Sequence, residues 1–276
     1  MARNKLCTSL FVLVLLIAMR AAAQESCTAV MALPQAHAHN DYHHARPLLD
    51  ALAHGFCSVE ADVFLVDGKL FVGHSRSELK PERTLQELYL DPLRRRVDEN
   101  GGRVYRDGPP LTLLIDIKSD GEETYMALAK VLAQYSGILT SVHKGQLKTN
   151  AVTVVISGNR AKERIAADSP RYATVDGRLS DLDTNLPPRL MPLISDNWSK
   201  HFRWQGKGPM STAEKMKLRQ IVEKAHRAGR RVRFWATPEN TAVWNELYDA
   251  GIDLINTDDL DGLQQFLLRK GRQDDQ

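Results

Sequence analysis

From residue 35 onward, short β-branched apolar runs alternate with longer segments whose apolar positions recur every three or four residues. Runs at 35–39, 57–63, 111–118, 152–157, 172–176, 190–195, 231–236 and 254–256 read as strands, because they are brief, rich in Val, Ile and Leu, and bounded by Gly, Pro or polar residues. Helices are expected between them. Pro47 opens one through Leu48, Leu49 and Leu52 that stops at Gly55, with proline first and glycine last. Thr84 with Glu87, and Ser211 with Glu214, form capping boxes; the second starts a helix through Met216, Leu218, Ile221, Val222 and Ala225 that stops at Gly229. Met126, Ala129 and Leu132 give another helix its apolar stripe, and Thr237-Pro238 begins one that ends at Gly251. Eight strand–helix alternations without a linker predict an α/β protein, a (β/α)8 TIM barrel in one domain over residues 24–276.

Strand period then locates chemistry. In 57–63, Val59, Ala61 and Val63 alternate with Glu60 and Asp62, so both acids project from one face. Two buried carboxylates repel, and they either take up protons or are neutralised by a cation; oxygen-only donors favour Mg2+ or Ca2+. An Asp67-Gly68 turn predicts a hairpin whose second strand ends at His74, and the first strand ends at His39. Imidazoles at strand ends beside an acidic pair suit proton transfer near neutral pH, whereas His43, His44 and His54 read as structural or exposed. Barrel sites lie at the C-terminal strand ends, which here carry His39, Glu60, Asp62, Asp116, Lys118, Asn197, Trp235 and Asp258.

Composition changes this picture at the N-terminus. Arg3 and Lys5 precede an apolar run from Leu10 to Met19, too short to span a bilayer, and three alanines end at Ala23. Residues 1–23 are therefore expected to be a cleaved signal peptide, leaving a secreted or periplasmic chain without a transmembrane anchor, expected to be a monomer. Losing Arg3, Lys5 and Arg20 brings the formal charge from +3 to zero, so no basic footprint points to nucleic acid. Cys27 and Cys57 are the two cysteines left, and a disulfide between them is plausible in an oxidising compartment.

The order His39, Glu60-x-Asp62, Gly73-His74, Asp116-x-Lys118, Trp235 and the late Gly-x-Asp-x-x-x-Thr-Asp resembles the glycerophosphodiester phosphodiesterase and phosphatidylinositol-specific phospholipase C superfamily. The stretches HAHNDY, SVEADV, LFVGHSR, SGNR, DGRLSDL, PLISDNW and RFWATPEN are similar to the altered inheritance of mitochondria protein 6 group. The resemblance implies a phosphoric diester hydrolase acting on a glycerophosphodiester or phospholipid-type substrate, through a cyclic phosphate where the substrate has a neighbouring hydroxyl. His39 and His74 would be the acid and base, and Glu60, Asp62 and Asp116 would hold Mg2+ or Ca2+. Lys118 would contact phosphate, with Asn40, Asn197, Trp235 and Asp258 in the substrate pocket. Asn40 stands where these phosphodiesterases usually carry arginine, and Asp116 matches the aspartate of spider-venom sphingomyelinase D enzymes rather than the usual glutamate. Two further readings stay open: a Zn2+ amidohydrolase-like barrel using His37, His39 and Asp258, and an exported barrel that binds a ligand without turning it over.

Overall fold

The computed structural model describes residues 30–274, so the leader and Cys27 lie outside the described residues. From Ala32 onward the chain forms one compact unit. Its strands are β1 (Leu33–Ala38), β2 (Phe56–Val66), β3 (Lys69–Val72), β4 (Leu111–Ile117), β5 (Ser141–His143), β6 (Gln146–Lys148), β7 (Val152–Gly158), β8 (Ala173–Gly177), β9 (Leu193–Asn197), β10 (Arg231–Trp235) and β11 (Ile255–Thr257). Eight of them run parallel in the order β10-β9-β8-β7-β4-β2-β1-β11. A parallel bridge between Arg233 and Leu254 brings the two end strands together, which makes the sheet a (β/α)8 barrel. No helix among the described residues is long and apolar enough to cross a membrane.

Alternation along the strands sorts two environments. Val59, Ala61 and Val63 of β2 and Leu113, Ile115 and Ile117 of β4 join the large core between sheet and helices. The other face of each strand lines the barrel, where Leu114, Val155, Leu193 and Leu254 pack as an apolar plug. The inward positions nearer the C-terminal ends are polar: Glu60, Asp62, Asp116, Ser157, Asp176, Ser195 and Arg233. This apolar floor under a polar mouth is what puts chemistry at one end of the fold.

The helices are α1 (Leu49–Ala53), α2 (Asp91–Glu99), α3 (Gly121–Ala133), α4 (Lys162–Ala167), α5 (Trp198–His201), α6 (Thr212–Arg227), α7 (Thr241–Asp249) and α8 (Leu260–Asp274). The Thr84–Glu87 capping box forms in both directions, Glu87 N donating to Thr84 Oγ1 at 3.2 Å and Thr84 N to Glu87 Oε2 at 3.4 Å, whereas at Ser211 only the first half forms, Glu214 N donating to Ser211 Oγ at 3.3 Å. The Asp67-Gly68 turn has positive φ at both residues (48° and 76°), as a two-residue hairpin requires, and joins β2 to β3.

Four expectations need correction. The helix after Pro47 is only five residues long, and Leu48 sits at φ 63° outside it. The buried stripe of α3 runs through Tyr125, Leu128 and Leu132, leaving Met126 exposed; Met216 on α6 is exposed too. Asn240, whose Oδ1 accepts from Val243 N at 3.0 Å, starts α7 three residues later than Thr237-Pro238 would. The antiparallel pair β5 and β6 lies at 141–148, outside the eight runs expected to be strands. Cys57 is buried with its Sγ 3.6 Å from the Gly55 carbonyl, and burial pushes the thiol up to about 12.

Candidate active site

Three carboxylates meet at the mouth. Asp62 and Asp116 are register partners on β2 and β4, and with Glu60 they offer oxygens within 4.8 Å of one another. Lys118 reaches in from the end of β4, its Nζ 3.1 Å from Asp62 Oδ2 and 3.1 Å from Asp116 Oδ1. Asp62 Oδ1 is buried and has no hydrogen-bond partner. Gly158 gives Asp116 its seat, since a Cβ there would come within 2.3 Å of Asp116 Oδ1. Burial raises the pKa of Asp62, and the charge of Glu60 adds to it; burial pushes Asp116 up to about 6 against the pull of Lys118. A close, all-oxygen set with an unbonded buried carboxylate oxygen fits a hard divalent cation such as Mg2+ or Ca2+.

The two histidines expected to work beside it are both held at Nδ1. His39 Nδ1 lies 2.8 Å from Asp258 Oδ1, and the Asn40 amide is 3.0 Å from the same nitrogen. Burial alone would lower the His39 pKa, but the Asp258 hydrogen bond and the charges of Glu60 and Asp258 outweigh it and leave the pKa raised. His74 Nδ1 lies 3.1 Å from Asp62 Oδ2 and 3.2 Å from the Tyr42 hydroxyl. That hydroxyl is 2.7 Å from Asp62 Oδ2 and 2.7 Å from Asn40 Oδ1, so Tyr42 ties the surroundings of the two imidazoles together. Asn40 reaches this position through a left-handed backbone (φ 47°), which asparagine tolerates better than most residues. Both ends of its amide are engaged within this network, and Asp258 holds His39; neither is free to serve only as a substrate contact.

Below the carboxylates lies a buried pair. Arg233 Nη1, from β10, donates to Glu60 Oε2 at 2.8 Å and also to His37 Nε2. Since His37 Nε2 accepts, its Nδ1–H donates to Ser58 Oγ at 2.7 Å. Burial and the arginine's charge lower the His37 pKa to about 3, so the ring is neutral, while the same charge overcomes burial and keeps Glu60 ionised. His37 is thus engaged by a guanidinium rather than grouped with the metal-type ligands, which removes the support for the amidohydrolase-like reading.

Across the mouth, Trp235 ends β10, its ring 4.8 Å beneath the Arg178 guanidinium. Asn197 ends β9, where its Oδ1 accepts from Ser199 N at 2.9 Å and caps α5. It stands at the mouth with its oxygen committed to backbone.

A family model described as an AIM6-like phosphodiesterase domain matches residues 24–176, more than half of the chain. The chain belongs to this family. The matched residues carry His39, Glu60, Asp62, His74, Asp116 and Lys118. A second match, to the glycerophosphoryl diester phosphodiesterase family, covers 231–261 and with it Arg233, Trp235 and Asp258. This AIM6-like chain is 32% identical over 281 residues to altered inheritance of mitochondria protein 6 of Eremothecium gossypii, covering 86% of this chain and 70% of that protein. It is 28% identical over 260 residues to the homolog from Arthroderma benhamiae, covering 83% and 82%. In fold it is similar to crystal structures of glycerophosphodiester phosphodiesterases. That from Agrobacterium tumefaciens has TM-score 0.51 at 16% identity, with 85% of this chain and 99% of that one covered. That from Parabacteroides distasonis has TM-score 0.50 at 16% identity, with 86% and 98% covered.

Three functional candidates escaped sequence reasoning. Tyr42 sits in the HAHNDY stretch, but nothing in periodicity brings its hydroxyl to Asp62. Arg233 on β10 and Arg178 just after β8 are single positions far apart in the chain. The signal available for them was their place in the RFWATPEN and DGRLSDL stretches.

Proposed function

We propose that this AIM6-like protein is a divalent-cation-dependent phosphoric diester hydrolase that uses His39 and His74 on a glycerophosphodiester or phospholipid-type substrate. One observation carries the reading: two imidazoles beside the Glu60, Asp62 and Asp116 cluster are each held at Nδ1 by a carboxylate, and no described group bonds either Nε2. A residue tethered at one nitrogen and open at the other is oriented for proton transfer.

Glu60, Asp62 and Asp116 would hold the cation. When bound, it draws charge from the phosphoryl oxygens as a Lewis acid. Lys118, between Asp62 and Asp116, adds a positive charge at the same place. His39 has Asp258 as a carboxylate partner and a raised pKa, so the imidazolium it forms on taking a proton is stabilised. It acts as the base, taking the proton from the attacking oxygen. His74 is held at Nδ1 by Asp62 Oδ2, with the Tyr42 hydroxyl beside it, and its free Nε2 takes the role opposite to that of His39. It protonates the leaving oxygen. Where the substrate has a neighbouring hydroxyl, that oxygen attacks and the product is a cyclic phosphate.

The test is a screen of purified protein with Mg2+ or Ca2+ against glycerophosphodiesters, lysophospholipids and phosphoinositides, followed by phosphorus NMR. Turnover with a cyclic phosphate product is expected. Absence of hydrolysis across all three classes with either ion overturns the reading.

A further inference from the structure

The β7–β10 side of the mouth holds a constellation that the reaction above leaves unused. Asp176, fully buried on β8, accepts from Ser195 Oγ at 2.6 Å, from Ser157 Oγ at 2.8 Å and from Arg178 Nη1 at 2.8 Å. Arg178 Nη1 also donates to the Gly177 carbonyl at 2.9 Å, and Nη2 reaches Ser157 Oγ only at 3.4 Å. With Trp235 against its face, the guanidinium is fixed in plane and direction, yet the side chain stays 23% exposed and its Nε–H has no acceptor among the described residues.

A second guanidinium crowds it, for Arg160 Nη1 donates to the Asp176 carbonyl. Burial and the charge of Arg178 together lower the Arg160 pKa. Neighbouring acids are already engaged: Asp181 by Lys162 at 3.1 Å and Asp196 by His201 at 3.2 Å. Among the described residues Asp176 is the only carboxylate that accepts from the Arg178 guanidinium, and none accepts from Arg160, which bonds a backbone carbonyl. Two oriented cations stand beside one buried carboxylate at an open mouth, which leaves the place short of negative charge. Ser157 on β7 is the register partner of Asp116 and Asp176 lies on β8, the next strand, so this group stands one to two strand spacings, roughly 5–10 Å, beyond the carboxylate cluster.

We propose that Arg178, stacked on Trp235 and backed by Arg160, is a subsite for a second anionic group of the substrate, a phosphomonoester or carboxylate carried beyond the scissile phosphodiester. The proposal rests on the phosphodiesterase reading and narrows its substrate class. It also reassigns Trp235. An aromatic face attracts quaternary ammonium groups, but here a guanidinium covers it, so the site disfavours choline-type headgroups.

The experiment compares kcat/KM, with Mg2+, for glycerophosphate esters of inositol, inositol 4-phosphate, 4-hydroxybutyrate and choline. The wild type is expected to favour at least one of the two anionic esters over the inositol ester by tenfold or more, with choline poorest; which of them it favours separates phosphomonoester from carboxylate. Arg178→Gln should bring the anionic-to-neutral ratio close to one. A wild-type ratio near one, or an Arg178→Gln variant that lowers all four substrates equally, overturns the subsite. Calorimetric titration of inorganic phosphate and of 4-hydroxybutyrate into the protein in EDTA reads the subsite without turnover. Arg178→Gln should weaken the better-bound anion tenfold or more and Asp116→Asn should not; equal affinity in wild type and Arg178→Gln also overturns it. If no ester is hydrolysed, the phosphodiesterase reading fails, and the titration still decides whether Arg178 binds anions.

Discussion

Around β1 to β4 the barrel mouth crowds carboxylates, whereas around β7 to β10 it crowds guanidinium groups. In the first region Glu60, Asp62 and Asp116 are close enough to repel, and single cations from elsewhere, Arg233 below and Lys118 above, only partly offset them. In the second, Arg178 bonds the Asp176 carboxylate while Arg160 bonds only its backbone carbonyl, and the aromatic face of Trp235 fixes Arg178. Each region is thus left with charge of one sign to satisfy from outside. The acidic side calls for a cation and the basic side for an anion, so under the proposed function one mouth would separate where a bond is broken from where a headgroup is chosen.

Arg233 crosses that division, and removing it has the largest expected effect. Arg233→Met leaves the buried Glu60 carboxylate without its partner, which typically costs about 3–5 kcal/mol. Denaturant unfolding should show the loss, and Glu60→Gln in the same background should restore most of it because the uncompensated charge is gone. If the double variant is as unstable as Arg233→Met alone, the arginine is supporting packing instead.

Next come the histidines. His39→Ala and His74→Ala should each lower turnover roughly 100-fold or more, which is about 2.7 kcal/mol of barrier. They should differ with an activated leaving group such as p-nitrophenol, which needs little acid: it should largely rescue His74→Ala and not His39→Ala. Rescue of the opposite variant reverses the two roles, and near wild-type rates in both remove the pair from the mechanism.

These predictions fall mostly on the region that was legible in the sequence. Glu60, Asp62 and His74 lie in one contiguous stretch, where strand period and a two-residue turn bring them together locally, and the order of eight short apolar runs sufficed for the barrel. Arg178 and Arg233 were not legible because their meaning depends on barrel closure, which sets β10 beside β11 and near β1 and so carries Arg233 beneath Glu60. Asn40 and Asp258 were legible as mouth residues but not as partners of His39, since strand ends give position without saying which side chains bond. The short α1 illustrates the limit of local propensity, because three leucines and a proline read as helix while Leu48 is drawn out of it and its N–H donates to Asp41.

The metal side can be sharpened by Asp116→Asn. A wild type saturated at about 100 times its Kd gains roughly 2.7 kcal/mol from Mg2+ or Ca2+, and a tenfold weaker site gives up about 1.4 kcal/mol of that. Thermal melts with and without the ion should show the reduced gain. Without ion the variant should be no less stable than wild type, because one of three repelling carboxylates has been neutralised. Equal gains in both proteins would mean that Asp116 is not a ligand.

The smallest effect expected is in the pH profile, and it concerns Asp258. As the proposed base, His39 would work only when neutral, and its pKa lies above the ordinary 6.5 because the Asp258 hydrogen bond and the charges of Glu60 and Asp258 outweigh burial. Activity should therefore fall as pH drops through a value above 6.5. Asp258→Asn removes the carboxylate but leaves burial and the Arg233 charge, both of which lower the pKa, so the acid limb of kcat/KM should move to lower pH. The plateau should also drop, since the imidazolium formed in the reaction has lost its counterion. A merely structural role for Asp258 predicts a lower plateau with an unmoved limb, so the position of the limb, read from kcat/KM between pH 5 and 9, decides whether this carboxylate tunes the base or only holds the strand end.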